Sequence, residues 1–297
     1  MGRTTPIAAW GVVALSLGHV ALAHADMGSI PFRPGVEIFE PSQRALLAWD
    51  GCEEILLLAT DLRASEPTKV LEVIPLPAEP QVSKGDVEAF ARAVEIINQS
   101  QREKAEALSH GIAAANGRPA GEVTQQKRIG AHDIAVTRVI DRAGFVEWVK
   151  HYLAERGADE PTIPEPLEAV VTEYLQEGYQ WFVFDVVELG LEIASKDAIL
   201  FRFKSQYVYY PLKITRAESG TTQIELIIVT PKLLTRCHGI PRSKITVPHD
   251  PVWITPEQLT GISKEMRALL GTRSSYPLRI WRIAGKLSGF TEDLIVD

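Results

Sequence analysis

Residues 43–62 read QRALLAWDGCEEILLLATDL. Residues 43–49 form an apolar run, Asp50-Gly51 is a turn pair, and residues 54–62 form a second apolar run. Asp-Gly between two such runs is a strong short-range sign of a hairpin, because the tight turn needs a residue free to take positive φ. Two antiparallel strands therefore begin the fold. Residues 69–76 (KVLEVIPL) are extended as well, and Pro75, Pro77 and Pro80 force a non-helical exit that suggests a sheet edge.

Downstream, a helix is expected from Asp86, whose carboxylate suits an N-cap, with Val87, Phe90, Ala91, Val94 and Ile97 on one face. Residues 101–128 turn polar and small and mark a flexible insertion. Strand patterning resumes over 131–140. Asp141 then caps a short helix with Phe145, Trp148, Val149 and Tyr152 inward, ended by Gly157. A third helix follows Pro164, with Pro166 in its first turn, buries Leu167, Val170, Val171 and Tyr174, and stops at Gly178. Strands are expected over 181–189, 199–203, 207–214 and 223–229, then a helix over 256–270 and a strand over 278–287. Strands joined by short connections, with helices grouped between them, indicate an α+β fold. Its sheets are mainly antiparallel, with about four helices packed on or between them.

Ahead of this domain, residues 1–6 carry one cation, Arg3, and no acid; residues 7–22 (IAAWGVVALSLGHVAL) carry no charge; Ala23-His24-Ala25 then precedes Asp26. This order is that of a secretory signal over 1–25. A cut after Ala23 is an alternative, and so is an uncleaved anchor, which would need Gly18, His19 and His24 inside a span of about 20 residues. No cysteine follows either cut, so a lipoprotein anchor is not expected. The expectation is one soluble domain over 26–297, exported to the periplasm or beyond, with no stable membrane insertion after cleavage. The 31 Lys+Arg and 38 Asp+Glu are interspersed without a basic stripe, which excludes nucleic acid as the natural partner.

Cys52 and Cys237 are the only cysteines. In an oxidising compartment they could form one disulfide, worth about 2–4 kcal/mol, or remain two separate thiols. No Walker loop, G-x-G-x-x-G, G-x-S-x-G, H-E-x-x-H or C-x-x-C occurs, and no motif calls for a cofactor. Cys237-His238 and His249-Asp250 bring thiolate, imidazole and carboxylate near one another, so His238 and His249 are candidate metal ligands. Their spacing fits no standard zinc pattern, which favours an ordinary loop. Glu147, His151 and Glu155 share a helix face opposite the apolar one and read as solvated charge. His132-Asp133 opens a strand, where neighbouring side chains point to opposite faces, so a structural hydrogen-bonding role is expected. Trp181, Tyr207, Tyr209 and Tyr210 form a possible aromatic binding surface, against the usual reading of strand aromatics as cross-strand packing. Glu53-Glu54 are expected in a solvated turn.

Seven blocks occur in a fixed order: PSQRALLAWDGCEEILLLATDL (41–62), IPLPAEPQV (74–82), IGAHDIAVTRVID (129–141), FVEWV (145–149), EYLQEGYQWFVFDV (173–186), FRFKSQYVYYPLKI (201–214) and WRIAGKLSGFTEDLIV (281–296). Together they resemble a bacterial family known only as domain of unknown function 2330, over residues 37–296 with 101–128 unmatched. The resemblance implies an exported protein, often with a C-terminal membrane segment that residues up to Asp297 do not contain. It brings no catalytic residues. The expected function is that of a non-catalytic envelope binding or structural protein. The alternative is a secreted hydrolase using dispersed carboxylate and His residues, with a metal near His238 and His249.

Overall fold

The computed structural model describes residues 28–109, 132–141, 143–159, 161–195 and 197–297. The expected signal over 1–25 lies outside the described residues, and so do residues 110–128 of the expected insertion. The chain opens with β1 (Gly28–Pro31), β2 (Ile38–Trp49), β3 (Glu53–Ala64), β4 (Thr68–Leu76) and β5 (Gln81–Lys84), then helix α1 (Glu88–Ser109). Strand β6 (Asp133–Arg138) leads into α2 (Phe145–Glu155) and α3 (Glu165–Gln176). Next come β7 (Trp181–Leu189), β8 (Ala194–Ser195), β9 (Ile199–Lys204), β10 (Val208–Tyr210) and β11 (Thr221–Val229). After these follow β12 (Cys237–His238), β13 (Ile245–Thr246), β14 (Val252–Ile254), α4 (Pro256–Ile262), α5 (Lys264–Leu269), β15 (Tyr276–Lys286) and β16 (Leu294–Val296).

The Asp50-Gly51 hairpin forms. Asp50 Oδ1 accepts the N–H groups of Cys52 at 2.8 Å and Glu53 at 2.9 Å, and Gly51 takes φ +113°. Its strands lie mid-sheet in the order β13-β15-β11-β2-β3-β9-β5, with β14 also on β15 and β8 on β3. A second sheet runs β1-β4-β7-β6 and a third β10-β16-β12. Among the described ladders only β2–β11 is parallel. The fold is α+β with mainly antiparallel sheets.

Burial explains why the hairpin runs show no clean alternation. Ala45, Leu47, Leu56 and Leu58 face a core shared with Ile74, Leu76 and Val183 of the second sheet. Leu46, Ala48, Ile55 and Leu57 face the opposite core, with α1, α4 and α5. A strand covered on both faces needs apolar residues at every position. Helices α2 and α3 cover the outer face of the second sheet through Phe145, Val149, Leu167 and Tyr174 against Phe182 and Phe184. The layers are helix, sheet, sheet, helix.

Several local expectations change. Helix α1 runs through 101–109, because QREKAEALS is rich in strong helix formers even where it is polar. Its buried face uses Ala89, Phe90, Ala93 and Ile97, while Val87 is exposed. Trp148 is likewise more exposed than expected and Leu153 takes the inward place. The helix expected over 256–270 is broken at Ser263, which is extended at φ −155° and accepts the Met266 N–H at 3.2 Å as the N-cap of α5. The strand expected over 207–214 shortens to β10 before Pro211, and a 3-10 turn follows at Lys213–Ala217. β4 is not an edge strand; β1 pairs only with Val70–Val73, so Pro75 needs no ladder partner on that side.

Candidate functional site

A cleft of about 730 Å³ opens where the chain passes from β5 into α1 and faces the α4–α5 junction. Its floor is apolar, built from Leu57 of β3, Ala89 of α1 and Leu200 of β9. Its rim is polar: Lys84, Asp86, Arg92, Thr260, Ser263, Lys264 and Glu265. Asp86 caps α1, its Oδ1 accepting the Glu88 N–H at 3.0 Å, and its Oδ2 pairs with Arg92. The same Nη2 of Arg92 donates to Ile262 O at 2.9 Å, near the C-terminus of α4, so Arg92 straps the two helices together. Lys84 pairs with Asp197 at 3.0 Å. Gly261 looks into open space, with no atom within 4 Å of where a Cβ would stand.

Behind Lys84 a chain of polar contacts runs inward. His132 Nδ1 lies 2.8 Å from Asp185 Oδ2, and Nε2 lies 3.1 Å from Asp197 O. A carbonyl only accepts, so Nε2 carries a proton. His132 thereby ties β7 to the segment before β9. Its sequence neighbour Asp133 pairs instead with Arg156 at 3.3 Å.

A second polar group fills the space beside the third sheet. Asp293 accepts Tyr174 Oη at 2.6 Å, Tyr209 Oη at 3.0 Å and the Lys213 N–H at 2.9 Å. Lys213, itself buried, reaches Glu177 and lies 4.1 Å from the centre of the Tyr174 ring. Burial raises the Asp293 carboxyl above its ordinary range, against the pull of these donors. The hydroxyls of Tyr174, Tyr179 and Tyr209 are pushed up chiefly by burial, and next by the charge of Asp293. Asp293 and its donors are buried, so this cluster binds the fold together and the cleft is the accessible site.

Comparison with known proteins places these features. The model of a family described as an uncharacterized protein conserved in bacteria, DUF2330, matches residues 22–247. The chain belongs to this family. The matched stretch contains Lys84, Asp86 and Arg92 of the cleft but not Thr260–Glu265, and it ends before Asp293. No curated protein matches the sequence. Among solved structures, baculovirus P35 is 10% identical, with a TM-score of 0.45 over 89% of this chain and 97% of that one. A mutated baculovirus P35 after caspase cleavage is 9% identical, with a TM-score of 0.36 over 87% of this chain and 99% of that one.

The residues singled out in the DUF2330 chain do not converge. Tyr209 and Tyr210 are buried, Tyr209 against Asp293 and Tyr210 with its hydroxyl on Gln43. Tyr207 is exposed and Trp181 half-buried under Arg138, so no aromatic platform forms. β10 is covered on both sides, and that places consecutive tyrosines inside. Cys52, exposed in the hairpin turn, and Cys237, half-buried on β12, are free thiols, and no disulfide joins them. Burial pushes the Cys237 thiol up. His238 is exposed beside Asp297 at 3.2 Å, whereas His249 accepts the Ile280 N–H at 3.2 Å through Nε2. Among the described residues no three His, Cys, Asp or Glu stand together as metal ligands. His151 pairs with Glu155 at 3.0 Å on an exposed face, and Glu147 with Lys150. Glu54, expected in solvent, is fully buried; its Oε2 accepts the Tyr209 N–H at 2.7 Å.

Proposed function

We propose that this DUF2330 protein is exported to the bacterial envelope and works there by binding, through the cleft between α1 and the α4–α5 junction. The observation that carries the reading is the cleft's make-up: an apolar floor under a polar rim, within the size range of ligand sites. Export is supported by the order of charge, apolar run and Ala23-His24-Ala25 at the start of the sequence. No helix among the described residues is long and apolar enough to cross a membrane.

Two measurements test this. Expressed in a bacterial host, the protein is expected in the periplasmic fraction or the medium, with an N-terminus at Asp26 or His24. Cytoplasmic protein retaining Met1 would overturn the export half. For binding, fragments bearing carboxylate, amine or neutral amide groups are added to isotope-labelled protein, and backbone amide shifts are followed. Shifts are expected at Ala89, Leu200 and Gly261. They are expected to vanish in Gly261→Trp, whose Cβ meets no atom beyond its own helix and whose ring is added at the mouth of the cleft; urea unfolding of the variant, expected within about 1 kcal/mol of the parent, checks that the fold is kept. Shifts elsewhere, or shifts that survive the tryptophan, would remove the cleft from consideration.

A further inference from the structure

We infer that His132 is a pH-operated tie between the first two sheets, closed while it shares an extra proton with Asp185 and released when that proton leaves. Both ring nitrogens face oxygens that accept: Nδ1 the Asp185 carboxylate at 2.8 Å, Nε2 the Asp197 carbonyl at 3.1 Å. A neutral imidazole has a single N–H. The two contacts together therefore need one proton more than a neutral ring and an ionised carboxylate hold between them. With that proton the pair is neutral overall; without it, a net charge lies where the Asp185 side chain has no exposed surface. Asp185 Oδ1 has no hydrogen-bond partner, and Glu72 of β4 stands opposite Asp185 in register, on the same inter-sheet face. The other charges nearby have their own partners. Lys84 of β5 pairs with the Asp197 carboxylate at 3.0 Å, Asp133 with Arg156 beside Tyr152 of α2, and Asp61 of β3 with Arg44. His132 is itself slightly exposed, which gives the proton a route to solvent. When it leaves, one N–H remains for two acceptors. The carboxylate keeps it, because a charge-assisted bond is the stronger, and Nε2 turns a lone pair toward the Asp197 carbonyl. The segment so released carries β5: Ala198 O accepts the Gly85 N–H at 2.7 Å, and Asp197 holds Lys84 at the rim of the cleft. As regulation of the cleft the inference rests on the reading above; as a tie it stands on the distances.

The test reads the isotope-labelled protein at about pH 5.5 and about pH 8.5, which bracket the range where an imidazole changes charge. Ring spectra are expected to show a proton on His132 Nε2 at the lower pH and none at the higher, with Nδ1 protonated at the higher. Hydrogen-exchange protection of the Gly85 amide is taken relative to amides of the β2–β11 ladder, so that a change in global stability does not count. It is expected to fall about tenfold over the same interval, as the loss of one hydrogen bond implies. Asp185→Asn is expected to hold the acid level of protection at both pH values. Its amide donates to Nδ1 and lets a neutral ring keep Nε2–H on the carbonyl. A proton on Nε2 at both pH values, or equal protection of Gly85, would overturn the tie from the parent protein alone. A fall in protection that persists in Asp185→Asn would overturn the shared proton. Fragment shifts at Leu200 that match at both pH values, while ring and amide respond as expected, would overturn only the hold on the cleft. The absence of fragment shifts at either pH would overturn the reading of the cleft and leave the tie in place.

Discussion

Replacing Asp293 by alanine is expected to cost about 3–5 kcal/mol of folding free energy. The side chain accepts from three donors on three separate elements: Tyr174 of α3, Tyr209 of β10 and the Lys213 N–H at the 3-10 turn. Tyr174 also accepts the Ile214 N–H at 3.1 Å, so its hydroxyl is a second node of the same network. Alanine leaves the Tyr174 hydroxyl and the Lys213 N–H without an acceptor in a dry interior, and each orphan costs about 1–3 kcal/mol. Tyr209 keeps an alternative in Pro75 O at 3.2 Å. The backbone at Asp293 is also closely packed: a Cβ on Gly239 would stand 1.9 Å from Asp293 O, so the segment has little room to shift and recover these bonds. Asp293→Asn retains one acceptor but turns an NH₂ toward a donor, and a loss of about 1–3 kcal/mol is expected. Urea unfolding with an unchanged m-value is the measurement. A loss under about 1 kcal/mol in Asp293→Ala, below the cost of one orphaned donor, would show that the three elements hold together without this carboxylate.

Local chemistry was legible in the sequence, and partner choice was not. Asp50-Gly51 announces its turn because the Asp side chain and the Gly φ act within four residues. Pro166 and Gly178 bound α3 for equally local reasons. The ladders that build the sheets, β4 on β7 and β3 on β9, join residues more than 100 positions apart, and no short-range signal selects them. The cleft has the same difficulty in sharper form. Leu57, Ala89, Leu200 and Gly261 are an ordinary leucine pair, alanine and glycine until folding sets them side by side. For Tyr209 and Tyr210 the usual reading of strand aromatics as packing holds at both positions: strand alternation alone would expose one of two neighbours, whereas β10 is enclosed on both sides. Glu54 is the opposite case, since the signal was present. Counting back by twos from Leu58 and Leu56 puts residue 54 on the inter-sheet face, and proximity to a polar turn masked that parity.

That buried glutamate makes the second large prediction: Glu54→Gln is expected to stabilise the protein, by an amount that grows with pH. Burial holds the Glu54 carboxyl well above its ordinary range, with only the Tyr209 N–H pulling the other way. Oε1 has no partner, so nothing further compensates an ionised form. Once unfolded, the group ionises at its ordinary value. Between that value and the raised one the folded state holds a proton that the unfolded state has released, so stability falls as pH rises. Each unit of separation removes about 1.4 kcal/mol by the top of the window. Asp293, also raised, slopes in the same direction. Glutamine keeps an oxygen for the Tyr209 N–H and removes the ionisation; its buried NH₂ takes back part of the gain. The two proteins are therefore expected to be of similar stability at about pH 4 and to separate by about 1–3 kcal/mol at about pH 8. Denaturant unfolding across that range measures the difference. A constant gap would trace the effect to packing, and a gap that closes with rising pH would mean that Glu54 is ionised and compensated inside the fold. The expected divergence follows from a carboxyl group, pushed upward by burial, that the β2–β3 hairpin carries into the layer between two sheets.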